Sequence, residues 1–232
     1  MSGAYNAEVI TGASLPSEFI SFLTTEGRWY ALYYLRNGQV NVYPDIYTGT
    51  AMPTSATSAT VAFQAAQGVS SKVTTGTATI TGGSASNFHL ELAGLVMPIS
   101  NSSTVDPKYL ATLAEIGGDW DGALKDGWSN AEPAIKLKFA STGELISDSS
   151  YANCKLVLKL SLKSTSNRPY YSADLSLEGD GTLCARIKQN KGKPVQMTGI
   201  GFIYDSPIAA KKRLELILTD STGSGISFRG DK

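Results

Sequence analysis

From Lys155 to Lys163 every even position is leucine (Leu156, Leu158, Leu160 and Leu162), while Lys155, Lys159 and Lys163 hold odd positions. A helix would scatter these leucines around its circumference. A strand puts successive side chains on opposite faces, so all four line one side. The same alternation recurs in Ile135, Leu137 and Phe139 against Lys136 and Lys138, in Ala173, Leu175 and Leu177 against Asp174, Ser176 and Glu178, and in Leu214, Leu216 and Leu218 against Arg213 and Glu215. Each segment reads as a strand with one dry and one wet face, the antiparallel pattern. A turn over Ser164 to Pro169 would set Lys159 opposite Asp174 and Lys155 opposite Glu178, two cross-strand charge pairs that support that register.

In the first half, Arg28–Leu35 and Gln39–Tyr43 flank Asn37-Gly38, a dipeptide that tolerates positive φ and is a strong hairpin signal. Further strands are expected near 58–66, 72–81 and 86–95, about five in the first half, and about eight more in the second. Helix is confined to short pieces near 15–24 and 106–115. The fold class is therefore all-β and antiparallel, in two related barrel, half-barrel or sandwich units, with the boundary between residues 103 and 104.

The two halves echo one another. A shift of 91 residues aligns Pro16 with Pro107, Phe19 with Leu110, Phe22 with Leu113, Gly27 with Gly118 and Trp29 with Trp120. Each copy reads as a proline-started turn whose apolar side plugs one end of a sheet. A glycine then bends the chain, and a tryptophan drops into the core. Gly27, Trp29, Gly118 and Trp120 are thus structural residues.

Pro16 to Leu32 (PSEFISFLTTEGRWYAL) resembles the opening of lipocalins, a short helix followed by Gly-x-Trp-Tyr on the first strand. Gly118 to Ala123 (GDWDGA), with Ile135 to Leu145 and its Thr142-Gly143-Glu144 turn, resembles the opening of avidins. The chain thus resembles the calycins, and its overall pattern is similar to two-repeat proteobacterial envelope lipoproteins of unassigned function. The resemblance implies up-and-down barrels that hold a ligand in the mouth or fill it with side chains. It also implies a cation from near the last strand stacked on the tryptophan, for which Lys211 to Arg213 are at hand.

Charge excludes some functions. The chain balances 20 basic against 20 acidic residues. A protein that tracks phosphates needs a surplus of Lys and Arg, so nucleic acid is disfavoured as a partner, and so is a polybasic membrane patch. Residues 1–104 carry three basic side chains (Arg28, Arg36 and Lys72) and five acidic ones, and the other 17 and 15 lie in 105–232. A neutral, polar, aromatic first half fits work outside the cytosol. No run approaches 18 apolar residues, so no transmembrane segment is expected, and no signal peptide is visible after Met1.

Catalytic equipment is sparse. His89 is the one histidine, on the polar side of a Phe88, Leu90, Leu92 strand, and no Gly-x-Ser-x-Gly elbow accompanies it. It reads as a surface histidine, with a single axial haem ligand as its rival. Two cysteines and one histidine cannot make a four-ligand zinc site. Asp119 and Asp121 flank Trp120, loosely evoking a calcium loop without its later ligands. Period 2 puts both on the wet face; a hydrolase using Asp119 or Asp121 is the functional rival. No cofactor or metal is expected.

Cys154 and Cys184 leave two readings open, a disulfide or two buried thiols. Strand parity sets them on opposite faces, two strands apart, against a bridge; the extracytoplasmic composition favours one. The main binding signal is aromatic: Tyr30, Tyr33, Tyr34, Tyr43 and Tyr47 crowd the first hairpin beside Trp29, more than one strand face can bury. Tyrosine joins a rigid apolar ring to a polar tip and suits contact surfaces. The rival reading divides these rings between core and barrel rim. The sequence therefore reads as a non-enzymatic envelope or secreted binding protein for a protein, glycan or small apolar ligand. A structural, assembly or immunity-type inhibitor protein is the alternative.

Overall fold

The computed structural model describes residues 3–11, 15–24, 26–37, 40–55, 58–66, 73–84, 87–92, 95–101, 111–126, 134–147, 150–151, 153–161, 170–180, 184–205 and 211–232. The chain divides into two compact units. One comprises Met1–Pro107 with Gly127–Asn130, the other Lys108–Asp126 with Ala131–Lys232. Both are antiparallel β-structures.

The first unit is a closed barrel of eight strands: β1 (Gly3–Thr11), β2 (Leu15–Leu23), β3 (Arg28–Asn37), β4 (Val40–Ser55), β5 (Ser58–Ala66), β6 (Val73–Ser84), β7 (Asn87–Leu92) and β8 (Leu95–Asn101). Each strand pairs with the next, and β8 returns to β1 through Tyr5↔Asn101 and Asn6↔Ser100. The expectation of about five strands is corrected to eight: β1 and β8 are additional, and the helix expected near 15–24 is β2. Phe19 and Phe22, three apart, suggest a helical face. The same stretch is rich in aromatic and β-branched residues, and β1 and β3 supply ladder partners on both sides, from Ile10↔Pro16 to Leu23↔Trp29. Tertiary pairing overrides a weak local signal. The first hairpin forms, but its closing pair is Asn37↔Val40, so Asn37, expected in the turn, ends β3 instead.

The second unit is an eight-stranded sheet made of β9 (Gly118–Asp126), β10 (Ala134–Phe139), β11 (Ser150–Tyr151), β12 (Cys154–Ser161), β13 (Tyr171–Glu178), β14 (Val195–Asp205), β15 (Lys212–Thr219) and β16 (Gly225–Asp231), ordered β10-β9-β16-β15-β14-β13-β12-β11. Lys155↔Glu178 and Lys159↔Asp174 pair as expected, although Ser164 to Pro169 lie outside the described residues. The sheet curls until its edges nearly meet. The turn after β10 spans the gap: Ile146 N–H donates to the Lys138 carbonyl at 2.8 Å on one side, and Leu145 N–H to the Leu158 carbonyl at 2.9 Å on the other. Gly143 is required here, with φ +84°, because a Cβ would lie 2.1 Å from the Leu160 carbonyl oxygen.

One hydrophobic core fills the curl. Trp120, Leu137, Phe139, Leu158, Leu160, Leu175, Leu216 and Phe228 are all at most 4% exposed. Two short helices close its ends. α1 (Leu113–Ile116) lies at the end where β9 begins, with Ile116 in the core. Residues 106–110 of the helix expected there lie outside the described residues. α2 (Ala185–Gln189) lies at the opposite end, between β13 and β14, and adds Ile187.

One expectation is corrected in this unit and one open reading is decided. Arg213 and Glu215 were to face water, yet β15 is buried on both faces: Arg213, Glu215 and Ile217 on that side are 8%, 0% and 0% exposed. The second face continues through Ile200, Phe202 and Tyr204 on β14 and Ser227 on β16, all buried. Its charges are satisfied internally. Arg213 grips Asp231 through Nε and Nη2 at 2.7 and 2.8 Å, and Glu215 accepts from the Tyr204 hydroxyl at 2.8 Å and from Arg229 Nε. Second, Cys154 and Cys184 are bridged, with Cα atoms 4.9 Å apart. The parity objection fails because Cys184 lies on no strand: after β13 the chain leaves the sheet, and Cys184 is the residue before α2, folded over the start of β12.

Trp29 and Trp120 are both sealed, at 1% and 0% exposure, and both follow a glycine of positive φ (Gly27 at 78°, Gly118 at 109°). Their settings differ. Trp29 opens the third strand of its barrel behind another strand, whereas Trp120 opens the first strand of its sheet behind a helical turn.

Candidate functional site

The side-chain arrangement most suited to holding a ligand lies on the inward face of the first barrel. Backbone register fixes one row across it: Trp29 on β3 pairs with Gly49 on β4, Gly49 with Phe63 on β5, and Phe63 with Gly76 on β6. Large and absent side chains alternate, so each ring can lie over a glycine. A Cβ on Gly76 would come 2.5 Å from Phe63 Cζ, and one on Gly49 would meet the Ala62 carbonyl oxygen at the same distance. The next row holds Ala31, Tyr47 and Ala65. Trp29, Tyr47 and Phe63 form a triangle, with centroids 6.2, 6.2 and 5.6 Å apart and the rings tilted or edge-on. Such pairs prefer edge-to-face geometry because ring edges are positive and faces negative.

Exposure differs within the triangle. Trp29 is sealed, whereas Tyr47 and Phe63 keep part of their surface accessible although they point inward. The aromatic wall, floored by glycine and alanine, is thus not fully covered. The inward side chains of the second unit's central strands, β13 and β15, are by contrast sealed throughout. On the outward side of the first barrel, Thr50, Ala62, Gln64, Thr75, Thr77 and Thr79 are exposed and uncharged.

Of the five tyrosines expected to share a contact surface, the two whose side chains are described, Tyr30 and Tyr47, lie on opposite faces. Tyr47 faces inward. Tyr30 faces outward, where it is 8% exposed beside Phe22 and Leu32. Burial pushes its phenol above the ordinary range, against the lowering effect of Arg28. Tyr33 pairs with Asp45 and Tyr34 with Glu18, and Tyr43 lies in β4 where the register shifts. The side chains of Tyr33, Tyr34 and Tyr43 lie outside the described residues, as does that of His89. Sequence reasoning missed Phe63. Its signal was present in two glycines interrupting neighbouring strand patterns, which mark places where something bulky approaches.

In the second unit, Asp119 and Asp121 are exposed on β9 and share Lys136 of β10, at 3.8 and 3.4 Å. The cation stacked on Trp120 is Lys232, with Nζ 4.7 Å from the ring centroid. The candidates Lys212 and Arg213 instead pair with Asp205 and Asp231. Among the described residues no three His, Cys, Asp or Glu side chains converge as a metal ion would need, and no helix is long and apolar enough to cross a membrane. No protein-family model matches this chain, and neither a curated protein nor a solved structure is similar to it.

Proposed function

We propose that this is a non-enzymatic binding protein of the cell envelope or the secreted space, which takes a small apolar or aromatic ligand against the inward wall of its first barrel. The carrying observation is the partly accessible Tyr47–Phe63 pair beside buried Trp29, floored by Gly49, Gly76 and Ala65. Aromatic walls with room above them are what apolar ligands fill. The tyrosine-rich first hairpin supplies contact surface beside it. The Cys154–Cys184 bridge supports an oxidising, extracytoplasmic compartment. Sequential strand order and the Lys232–Trp120 stack support the calycin-like reading.

A hydrolase reading gains little support from Asp119 and Asp121, which lie on a solvated strand face with a lysine between them; it would require Asp121→Asn to abolish an activity. The assembly or inhibitor reading draws on the uncharged threonine face of β4 to β6 and on exposed Met52, and it would require a stoichiometric protein complex.

The test is titration of the full chain with anilinonaphthalene sulfonate, an aromatic apolar probe. Saturable one-site binding is expected, weakened about tenfold or more by Tyr47→Ala and by Phe63→Ala in variants whose circular dichroism is unchanged. Equal probe affinity in both folded variants would count against the inward wall. Unchanged ligand capture in Tyr33→Ala/Tyr34→Ala would remove the hairpin from the contact surface.

A further inference from the structure

We infer that the cap closing the α2 end of the second unit is a docking surface for an anionic phospholipid membrane. This inference does not rest on the ligand reading of the first barrel.

Lys188 to Pro194 are seven consecutive exposed residues, and Lys188, Lys191 and Lys193 are three of them. Among the described residues none of these lysines makes an ion pair. Elsewhere in the unit Lys136, Lys159 and Lys212 are each held by a carboxylate and Lys232 by two backbone carbonyls, while Lys138, Lys155 and Lys211 are also exposed but lie on or beside separate strands. Acidic groups at the same end are Asp220, which caps its own turn through Thr222 and Ser224, and Glu178 and Asp180 at the close of β13, where Cys184 N–H donates to the Asp180 carbonyl. The run 186–193 itself holds Arg186 and the three lysines and no acid. The balanced charge of the whole chain conceals this local excess.

The cap is built to hold its shape. Gly192 N–H returns to the Ile187 carbonyl at 2.8 Å, and Asn190 Nδ2 donates to the carbonyls of Lys193 and Pro194 at 3.0 and 2.9 Å. The Cys154–Cys184 bridge ties the start of α2 to β12, and Arg186 Nη2 reaches the Gly225 carbonyl at 3.2 Å. Lys191 itself has φ 55°. A lysine pays a steric penalty there that glycine or asparagine largely avoids. A residue that breaks the local rule at an exposed position points to a use for its charge.

The chemistry of the cap selects the partner. Its cations are ammonium point charges without the fork of arginine. None of the large exposed apolar side chains, Met52, Ile146 and Val157, lies in it. A protein partner would want an aromatic, apolar or arginine anchor, and single-stranded nucleic acid would want stacking rings. Phospholipid headgroups are laterally mobile and can gather beneath three fixed ammoniums without either.

The test is flotation of the full chain with phosphatidylcholine vesicles, alone or containing about 30% phosphatidylglycerol. Binding to the anionic vesicles only is expected, lost at about 0.5 M salt. Each lysine near an anionic surface is worth about fivefold in partitioning, so Lys188→Gln/Lys191→Gln/Lys193→Gln should weaken it on the order of 100-fold. Lys136→Gln/Lys138→Gln, on β10 away from the cap, should leave it unchanged. Lys191→Gly should weaken partitioning about fivefold while leaving the melting temperature unchanged or higher. The inference is overturned by absent binding to anionic vesicles, by retention in the triple variant, by equal loss in the β10 variant, or by capture of an oligonucleotide or polyglutamate as tight as that of the vesicles.

Discussion

Lys232 lies over Trp120: its ammonium is 4.7 Å from the ring centroid and donates to the carbonyls of Glu115 and Gly117 at 2.6 and 2.9 Å. The indole N–H of Trp120 donates in turn to the Ile116 carbonyl at 2.7 Å. One cation thereby ties the last strand, the first strand of the same sheet and the helical turn before it. Lys232→Met should lower the stability of the second unit by about 1–2 kcal/mol, read as a shifted denaturant midpoint in tryptophan emission. Lys232→Arg should retain most of that stability.

Tyr171, buried at the same end, donates its hydroxyl to the Thr112 carbonyl at 2.8 Å. Burial raises its pKa well above the ordinary 10.0, and the nearby charge of Glu115 adds to this. The native state therefore keeps a proton that the unfolded state releases. Stability is full below pH 10 and declines as pH rises beyond it toward the folded value. Tyr171→Phe should cost about 1 kcal/mol near neutrality and flatten the alkaline decline, as measured by denaturation across pH 8 to 12.

Glu215 is fully buried and held by Tyr204 and Arg229. Glu215→Ala removes the buried acceptor of both Tyr204 and Arg229 and should cost about 3 kcal/mol. Lys159→Ala breaks only the exposed pair with Glu144 and should cost under about 1 kcal/mol. Equal losses in parallel urea titrations would contradict the buried network.

The Cys154–Cys184 bridge closes a loop with a sequence separation of 30. Cys154→Ser/Cys184→Ser should lose about 3–4 kcal/mol by freeing the unfolded chain. Wild-type protein in reductant should approach the stability of the variant, which reductant should leave unchanged.

Much of the fold was legible because strand alternation is a local property. Leu156, Leu158 and Leu160 could be placed on one face, and Lys155 and Lys159 set against Glu178 and Asp174, without knowing any neighbour beyond the hairpin. The failures share a cause. Leu15–Leu23 became a strand because β1 and β3 were available to pair with it, which nothing within those nine residues announces. Cys184 met Cys154 because the chain left the sheet at Gly179. Arg213 and Glu215 looked wet because period 2 cannot tell a strand with one covered face from one with two.

The candidate site divides along the same line. The crowding of tyrosines marked the first hairpin, yet the ring triangle depends on Phe63, separated from Trp29 by an entire strand. Local side-chain order determined the antiparallel β class, the registers of the short hairpins, and tryptophans sealed behind bending glycines. Tertiary structure alone decided closure of the first barrel, the dry second face of β15, the pairing of the cysteines and which rings share a wall. Alternation and turns act between residues close in sequence, whereas these contacts join residues that only the curvature of a completed sheet brings together.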